Sequence, residues 1–221
     1  MDRPLVIVIP IFNGLTALDA IGPYEVLHRL PNVSLHFVSH QPGLYSTDKS
    51  ILSLQATGSF LDFPHPDVIV FPGGFGTRSL IHDRSILDWL RQAHSTSIFT
   101  TSVCTGSLLL AAAGILNGLE ATTHWNAFNE LERLGAKPVS QRIVKQGKII
   151  TAAGVSAGID MALELAALLR DEETAKILQL YIEYDPKPPY DVGSTEKAGE
   201  ELIDRTREFI KKTKASLSKI E

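Results

Sequence analysis

Three short runs constrain this chain most: Leu5-Val6-Ile7-Val8-Ile9-Pro10, Asp67-Val68-Ile69-Val70-Phe71-Pro72 and Ile98-Phe99-Thr100-Thr101-Ser102-Val103. The first two are almost continuously apolar and β-branched, without the alternation of a strand that has one wet face. Such runs fit parallel strands buried on both faces. Amphipathic or Leu/Ala-rich segments separate them, so the order is β-α-β and the class is α/β with helices on both sides of the sheet. A chain of 221 residues can bury one large core. One domain over residues 1–221 is expected, with residues 191–221 as a helical C-terminal extension.

The third run continues through Cys104-Thr105-Gly106 into Ser107-Leu108-Leu109-Leu110-Ala111-Ala112-Ala113-Gly114, a helix closed by glycine. The single cysteine therefore stands at a strand-to-helix corner, where helix amides favour thiolate over thiol. The corner has the mechanics of a nucleophile elbow without the Gly-x-Ser-x-Gly form. A small buried core residue is the other reading of a lone cysteine.

Two further segments emerge at the same sheet edge, where open α/β sheets place their ligands. After the first strand, Asn13–Leu27 is a loop entering a helix that Gly22-Pro23 interrupts or restarts. It carries Asp19, either a proton-transfer group or, through Thr16-x-x-Asp19, a helix cap. After the Asp67 strand comes Gly73-Gly74-Phe75-Gly76, whose amides are candidates for donating to developing charge, although a tight turn alone accounts for it too. A thiolate, a carboxyl group and backbone donors make a minimal set for covalent catalysis. Thr105 offers a hydroxyl to substrate or to Asp19, or caps the helix. His124 is a site residue or a satisfied core histidine.

For the remaining chain, Ser34–His40 reads as a strand, Gly43–Gly58 as a hairpin excursion and Ser79–Ala93 as one amphipathic helix. Glu120–His124 is strand-like, a helix follows about Asn126–Leu134, and Arg142–Lys145 and Lys148–Ala152 flank a Gln146-Gly147 turn. Helices are expected over Ile159–Leu169, Asp171–Tyr184 and Glu196–Ser218, the last with an apolar stripe of Leu202, Ile203, Phe209 and Ile210.

Net charge of −4 leaves no basic footprint for nucleic acid. No apolar run reaches membrane-spanning length, and one cysteine excludes an internal disulfide framework. The N-terminus lacks the pattern of a signal peptide, so a cytoplasmic location is expected. The scattered histidines have no metal-ligand spacing, and no metal or other cofactor is expected.

The motifs Ser102-Val103-Cys104-Thr105-Gly106, Ala121-Thr122-Thr123-His124-Trp125 and Gly154-Val155-Ser156-Ala157-Gly158-Ile159-Asp160 resemble the DJ-1/PfpI superfamily, over roughly Leu5 to Tyr190. Within it, Ile182-Glu183-Tyr184-Asp185-Pro186-Lys187-Pro188-Pro189-Tyr190 resembles isocyanide hydratases. The resemblance implies a flavodoxin-like sandwich with a mostly parallel sheet, a homodimer, and hydration of a small apolar isocyanide to an N-substituted formamide without a cofactor. It assigns Cys104 as nucleophile and Asp19 as acid and base, with Thr105 beside them. Gly73, Gly74, Phe75, His124 and Trp125 are the residues expected around the substrate. Three prolines fix much of the backbone of the Tyr184–Tyr190 run, which is either a linker or, as expected here, a wall of the Cys104 site from this subunit or its partner, forming an apolar chamber with Phe75 and Trp125. The histidine that other superfamily members carry directly after the cysteine is replaced here by Thr105. A redox-sensing or chaperone-like protein, or a ligand-sensing domain related to transcription regulators, are the alternatives it leaves.

Overall fold

The computed structural model describes residues 3–217. Its main sheet has seven strands. In chain order the strands of the molecule are β1 (Leu5–Pro10), β2 (Val33–Ser39), β3 (Gly43–Ser46), β4 (Ser53–Ala56), β5 (Gly58–Ser59), β6 (Val68–Phe71), β7 (Phe99–Val103), β8 (Glu120–Ala121), β9 (Lys137–Pro138), β10 (Ile143–Gln146) and β11 (Ile149–Ala152). The main sheet runs β10-β11-β7-β6-β1-β2-β5, parallel throughout except for the antiparallel β10–β11 pair. The expected hairpin is present as the separate β3–β4 pair, and β8–β9 is a small parallel pair.

The helices are α1 (Ala17–Leu27), α2 (Thr77–Leu80), α3 (Arg84–Thr96), α4 (Gly106–Ala112), α5 (Phe128–Arg133), α6 (Ala157–Leu169), α7 (Glu172–Tyr181), α8 (Thr195–Ala198) and α9 (Glu200–Leu217). Helices α1, α6 and α7 pack together, and α4 packs against α2, α3 and α5, which covers the two faces of the sheet. Ile7, Val8, Ile9, Val68, Ile69, Val70 and Phe71 are all sealed from solvent, which is why β1 and β6 read as unbroken apolar runs. From β1 the chain moves to β2 on one side and later returns to β6 on the other. The strand order thus reverses between β1 and β6, the place where such sheets open a crevice at their carboxyl edge.

The chain divides into two compact units, residues up to Ile182 and residues from Glu183 onward. The second holds α8 and α9, and its compact unit starts ahead of the expected boundary at residue 191. Ser218, the expected end of the last helix, lies outside the described residues. Among those described, no helix is long and apolar enough to cross a membrane.

Several local expectations are corrected. Gly22-Pro23 does not interrupt α1, which runs through both residues. Proline costs one backbone bond there, and the bare Gly22 lets α6 come close, since a Cβ would sit 3.0 Å from the Ile159 side chain. The single helix expected over Ser79–Ala93 is two, because Asp83 caps α3 by accepting from Ser85 N–H and Ile86 N–H. The Glu120–His124 strand stops at Ala121, and Trp125–Ala127 forms a 3₁₀ turn ahead of α5. Asp171 is not in the first turn of α7 but caps it by accepting from Thr174 N–H, and α7 ends at Tyr181.

The elbow depends on how tightly α4 approaches β6. A Cβ on Gly106 would stand 2.1 Å from the Phe71 carbonyl oxygen, so Gly106→Ala must push backbone from backbone. We predict a loss of about 2 kcal/mol or more in chemical denaturation. Gly193→Ala, with nothing within 4 Å of the added carbon, serves as the neutral control. Equal stability of the two variants would contradict this packing.

Candidate active site

Neighbouring parallel strands bring three loops to one edge. β1 leads to Asp19, β6 to Gly73-Gly74 and β7 to Cys104, with Phe71 opposite Ser102 in the register. The loops then interlock. Thr16 N–H donates to the Gly73 carbonyl at 2.9 Å, and Leu15 makes an isolated bridge with Gly74. Added Cβ atoms at Gly73 and Gly74 would lie 2.5 Å from Thr105 N and 2.3 Å from Gly14 O respectively, so neither position has room for a side chain.

Cys104 stands at the turn between β7 and α4. Its φ of +56° is left-handed, a conformation that costs a non-glycine residue about 1–2 kcal/mol. Several bonds hold it there. Its N–H is shared between the carbonyls of Ala152 and Ala153 at 3.0 and 2.9 Å, and its own carbonyl accepts from Ser107 Oγ at 3.1 Å and Thr123 Oγ1 at 3.0 Å. Val155, at φ +28°, is a second strained position, and it is β-branched. The backbone N–H groups of Thr105 and Val155 interact with the sulfur and favour its thiolate.

Those two donors do not decide the resting state. Burial pushes the Cys104 thiol up, and the charge of Asp19 adds to the push. The expectation that helix amides leave a thiolate is therefore corrected: desolvation outweighs them in a site where Cys104 is only 5% exposed. Asp19, fully buried, is raised by desolvation to about 7, against the lowering influence of the Gly73 N–H and of the thiol, with the charge of Asp48 adding a little to the rise. Its Oδ2 accepts from Gly73 N–H at 2.9 Å, while Oδ1 has no conventional hydrogen-bond partner among the described residues. The thiol is the group coupled to the carboxyl group. Thr16 makes no side-chain cap, so the helix-capping reading of Asp19 is not what the carboxylate does.

The amides of Gly73 and Gly74 are spent differently from the sequence expectation. Gly73 N–H holds Asp19, and Gly74 N–H donates to Thr105 Oγ1 at 2.9 Å. They orient the acid and the elbow. The Thr105 hydroxyl in turn donates to the Gly74 carbonyl at 3.1 Å, and Thr77 Oγ1 approaches it at 3.2 Å, so its proton is committed to the loop and not to Asp19. Neither does Thr105 cap α4 through its side chain.

Phe75 and Trp125 are half-buried on the loops that flank the elbow. Trp125 lies beside His124 with ring centroids 5.5 Å apart. His124 accepts from Asn126 N–H and packs on Gly154, where a Cβ would meet its ring at 3.0 Å. It thus packs on the residue that precedes Val155. Thr123, Thr77 and Val155 are the site residues that sequence reasoning missed. Thr123 had a signal, a buried hydroxyl directly before the histidine of a quoted motif, but the expected strand hid it.

The DJ-1/PfpI family model matches residues 6–168. An isonitrile hydratase of Pseudomonas putida is 44% identical over 197 residues, 89% of this chain and 86% of that one. The HTH-type transcriptional regulator CdhR of Pseudomonas aeruginosa is 28% identical over 73% of this chain but only 48% of its own length. Among solved structures, a ThiJ/PfpI family protein from Pseudomonas syringae superposes with a TM-score of 0.88 at 34% identity, covering 97% of this chain and 90% of that one.

Burial of Asp19 makes a prediction about stability. The unfolded aspartate releases its proton near 3.8 and the folded one near 7, so the native state binds more protons between those values and loses stability as pH rises through them. About three units correspond to about 4 kcal/mol at pH 8. Asp19→Asn should remove that cost. Its gain in Tm over the unmodified protein is expected to be larger at pH 8 than at pH 5 by about 5 °C or more; an equal difference at both pH values would contradict the raised pKa.

Proposed function

The chain belongs to the DJ-1/PfpI family, and on that premise we propose that it hydrates isocyanides, adding water to give N-substituted formamides. The observation that carries the reading is the 44% identity to the isonitrile hydratase across 89% of the chain. The buried Asp19–Cys104 pair supports it chemically. An isocyanide carbon accepts a nucleophile and then needs a proton on that same carbon, and a thiol coupled to a carboxyl group supplies both.

Above about pH 7 the pair retains a single proton, because both groups are raised. The reactive tautomer has the charge on Cys104 Sγ and the proton on Asp19. Sulfur attacks the isocyanide carbon, the carbon takes the Asp19 proton, and a thioimidate forms with a carboxylate beside it. That carboxylate then accepts a proton from water as the oxygen adds to the carbon. Collapse of the adduct moves the remaining hydroxyl proton to nitrogen and expels the thiolate, which releases the formamide and restores the starting pair. The N–H groups of Thr105 and Val155 stabilise the sulfur whenever it carries charge. Phe75, His124 and Trp125 are the side chains we assign to the substrate's organic group.

A redox-sensing role has less support, because sensor thiols are exposed and acidic whereas this one is buried and raised. We further propose a homodimer. Ile177, Leu180 and Tyr181 of α7 are all more than half exposed, an apolar face that a second copy would cover. Light scattering distinguishes a dimer from a species of 24.2 kDa.

Cys104→Ser is expected to lower formamide production by at least about a thousandfold, since serine lacks the acidity of a thiol. Wild-type turnover in that variant would refute the nucleophile. The kcat/KM profile of the native enzyme should rise with pH through about 7, where the doubly protonated pair loses its first proton. A profile flat from pH 5 to 9 would place the essential ionisation elsewhere.

A further inference from the structure

Thr123 lies 19 residues from Cys104 in sequence and is buried, yet its hydroxyl donates to the nucleophile's own carbonyl at 3.0 Å. The neighbouring bond, from Ser107, is local to the start of α4. Thr123 is therefore the long-range tie on this peptide unit. A peptide unit is planar, with its C=O and N–H pointing in opposite directions. Fixing the Cys104 carbonyl therefore also fixes the N–H of Thr105, one of the two backbone donors that act on the sulfur.

The tie is itself anchored. Thr122 N–H donates to Thr151 Oγ1 at 2.9 Å, which pins the same loop to β11. Strand β11 pairs with β7 immediately beneath the elbow, with Thr151 opposite Ser102 and Ala152 opposite Val103. The left-handed turn at Cys104 would relax toward ordinary backbone if its peptide unit were free to rotate. We propose that Thr123 is a positioning residue, holding the Cys104–Thr105 peptide so that its N–H stays aimed at Sγ through the reaction. A hydrogen bond accepted by the carbonyl also polarises the amide and strengthens that donor.

The hydratase part of this inference rests on the proposed function, whereas the effect on the thiol does not. Thr123→Val keeps the branched shape and deletes the donor, and Thr123→Ser restores the hydroxyl. Cys104 is the only cysteine, so alkylation by iodoacetamide reports on it directly. Thr123→Val should move the alkylation rate profile to higher pH and slow the reaction at pH 8 by about tenfold, the scale of one lost hydrogen bond. With cyclohexyl isocyanide, kcat should fall by a similar factor while KM changes little. Thr123→Ser should return both quantities to within about twofold of the native enzyme.

Circular dichroism and thermal melting establish that each variant is folded before rates are compared. If Thr123→Val does not fold, Thr123→Ala and Thr123→Ser carry the same comparison. Unchanged alkylation in the folded valine or alanine variant overturns the positioning role. So does a loss that serine fails to restore. A shifted alkylation profile in a protein that never turns over isocyanide would sustain the role of Thr123 and overturn the substrate assignment alone.

Discussion

The hydrogen bond from Gly73 N–H to the buried Asp19 carboxyl group joins the end of β6 to the first turn of α1, and the site is arranged around it. An acid with no solvent exposure survives only where some donor partly offsets its desolvation. Here one backbone amide does so for Oδ2 and leaves Oδ1 toward chemistry. The bond requires Gly73, because any side chain there would strike Thr105 and Asp19 itself. Glycine at this point is thus a condition for the acid, the loop and the elbow to share one small volume.

That arrangement works against stability. A carboxyl group raised to about 7 and left-handed backbone at Cys104 and Val155 are each unfavourable in the folded state at neutral pH. The sheet and its two helical layers offset them, with Ile7, Ile9, Ile69 and Phe71 in the strands and Leu108, Leu109 and Leu110 in α4 fully buried. Strain concentrated at the reacting residues, on a rigid apolar base, holds nucleophile and acid in place without help from substrate. The same burial couples their protons, so the two groups titrate as a pair.

Much of the frame was legible in the sequence because it follows from short-range rules. The unbroken aliphatic runs gave β1 and β6, and the run into Cys104-Thr105-Gly106 gave the strand-to-helix turn. Convergence of Asp19, Gly73 and Cys104 followed from strand adjacency. Asp83 was not read as a cap because it falls inside an amphipathic pattern that continues past it, and Pro23 was read as a break because its packing against Gly158 is tertiary. The use of the Gly73 and Gly74 amides, and the tie from Thr123, depend on distances between loops far apart in the chain. Burial of the thiol stood in the sequence as one of two readings, since the corner alone argues for thiolate and only the surrounding core decides against it.

The covalent step is the centre of the account, and rapid-quench mass spectrometry addresses it directly. The protein would be mixed with excess cyclohexyl isocyanide at pH 8, quenched during turnover, digested and sequenced. The account predicts a transient addition of one whole isocyanide to the peptide carrying Cys104, appearing before formamide and decaying as substrate is exhausted. Formamide released at full rate with Cys104 unmodified at every time point would contradict it.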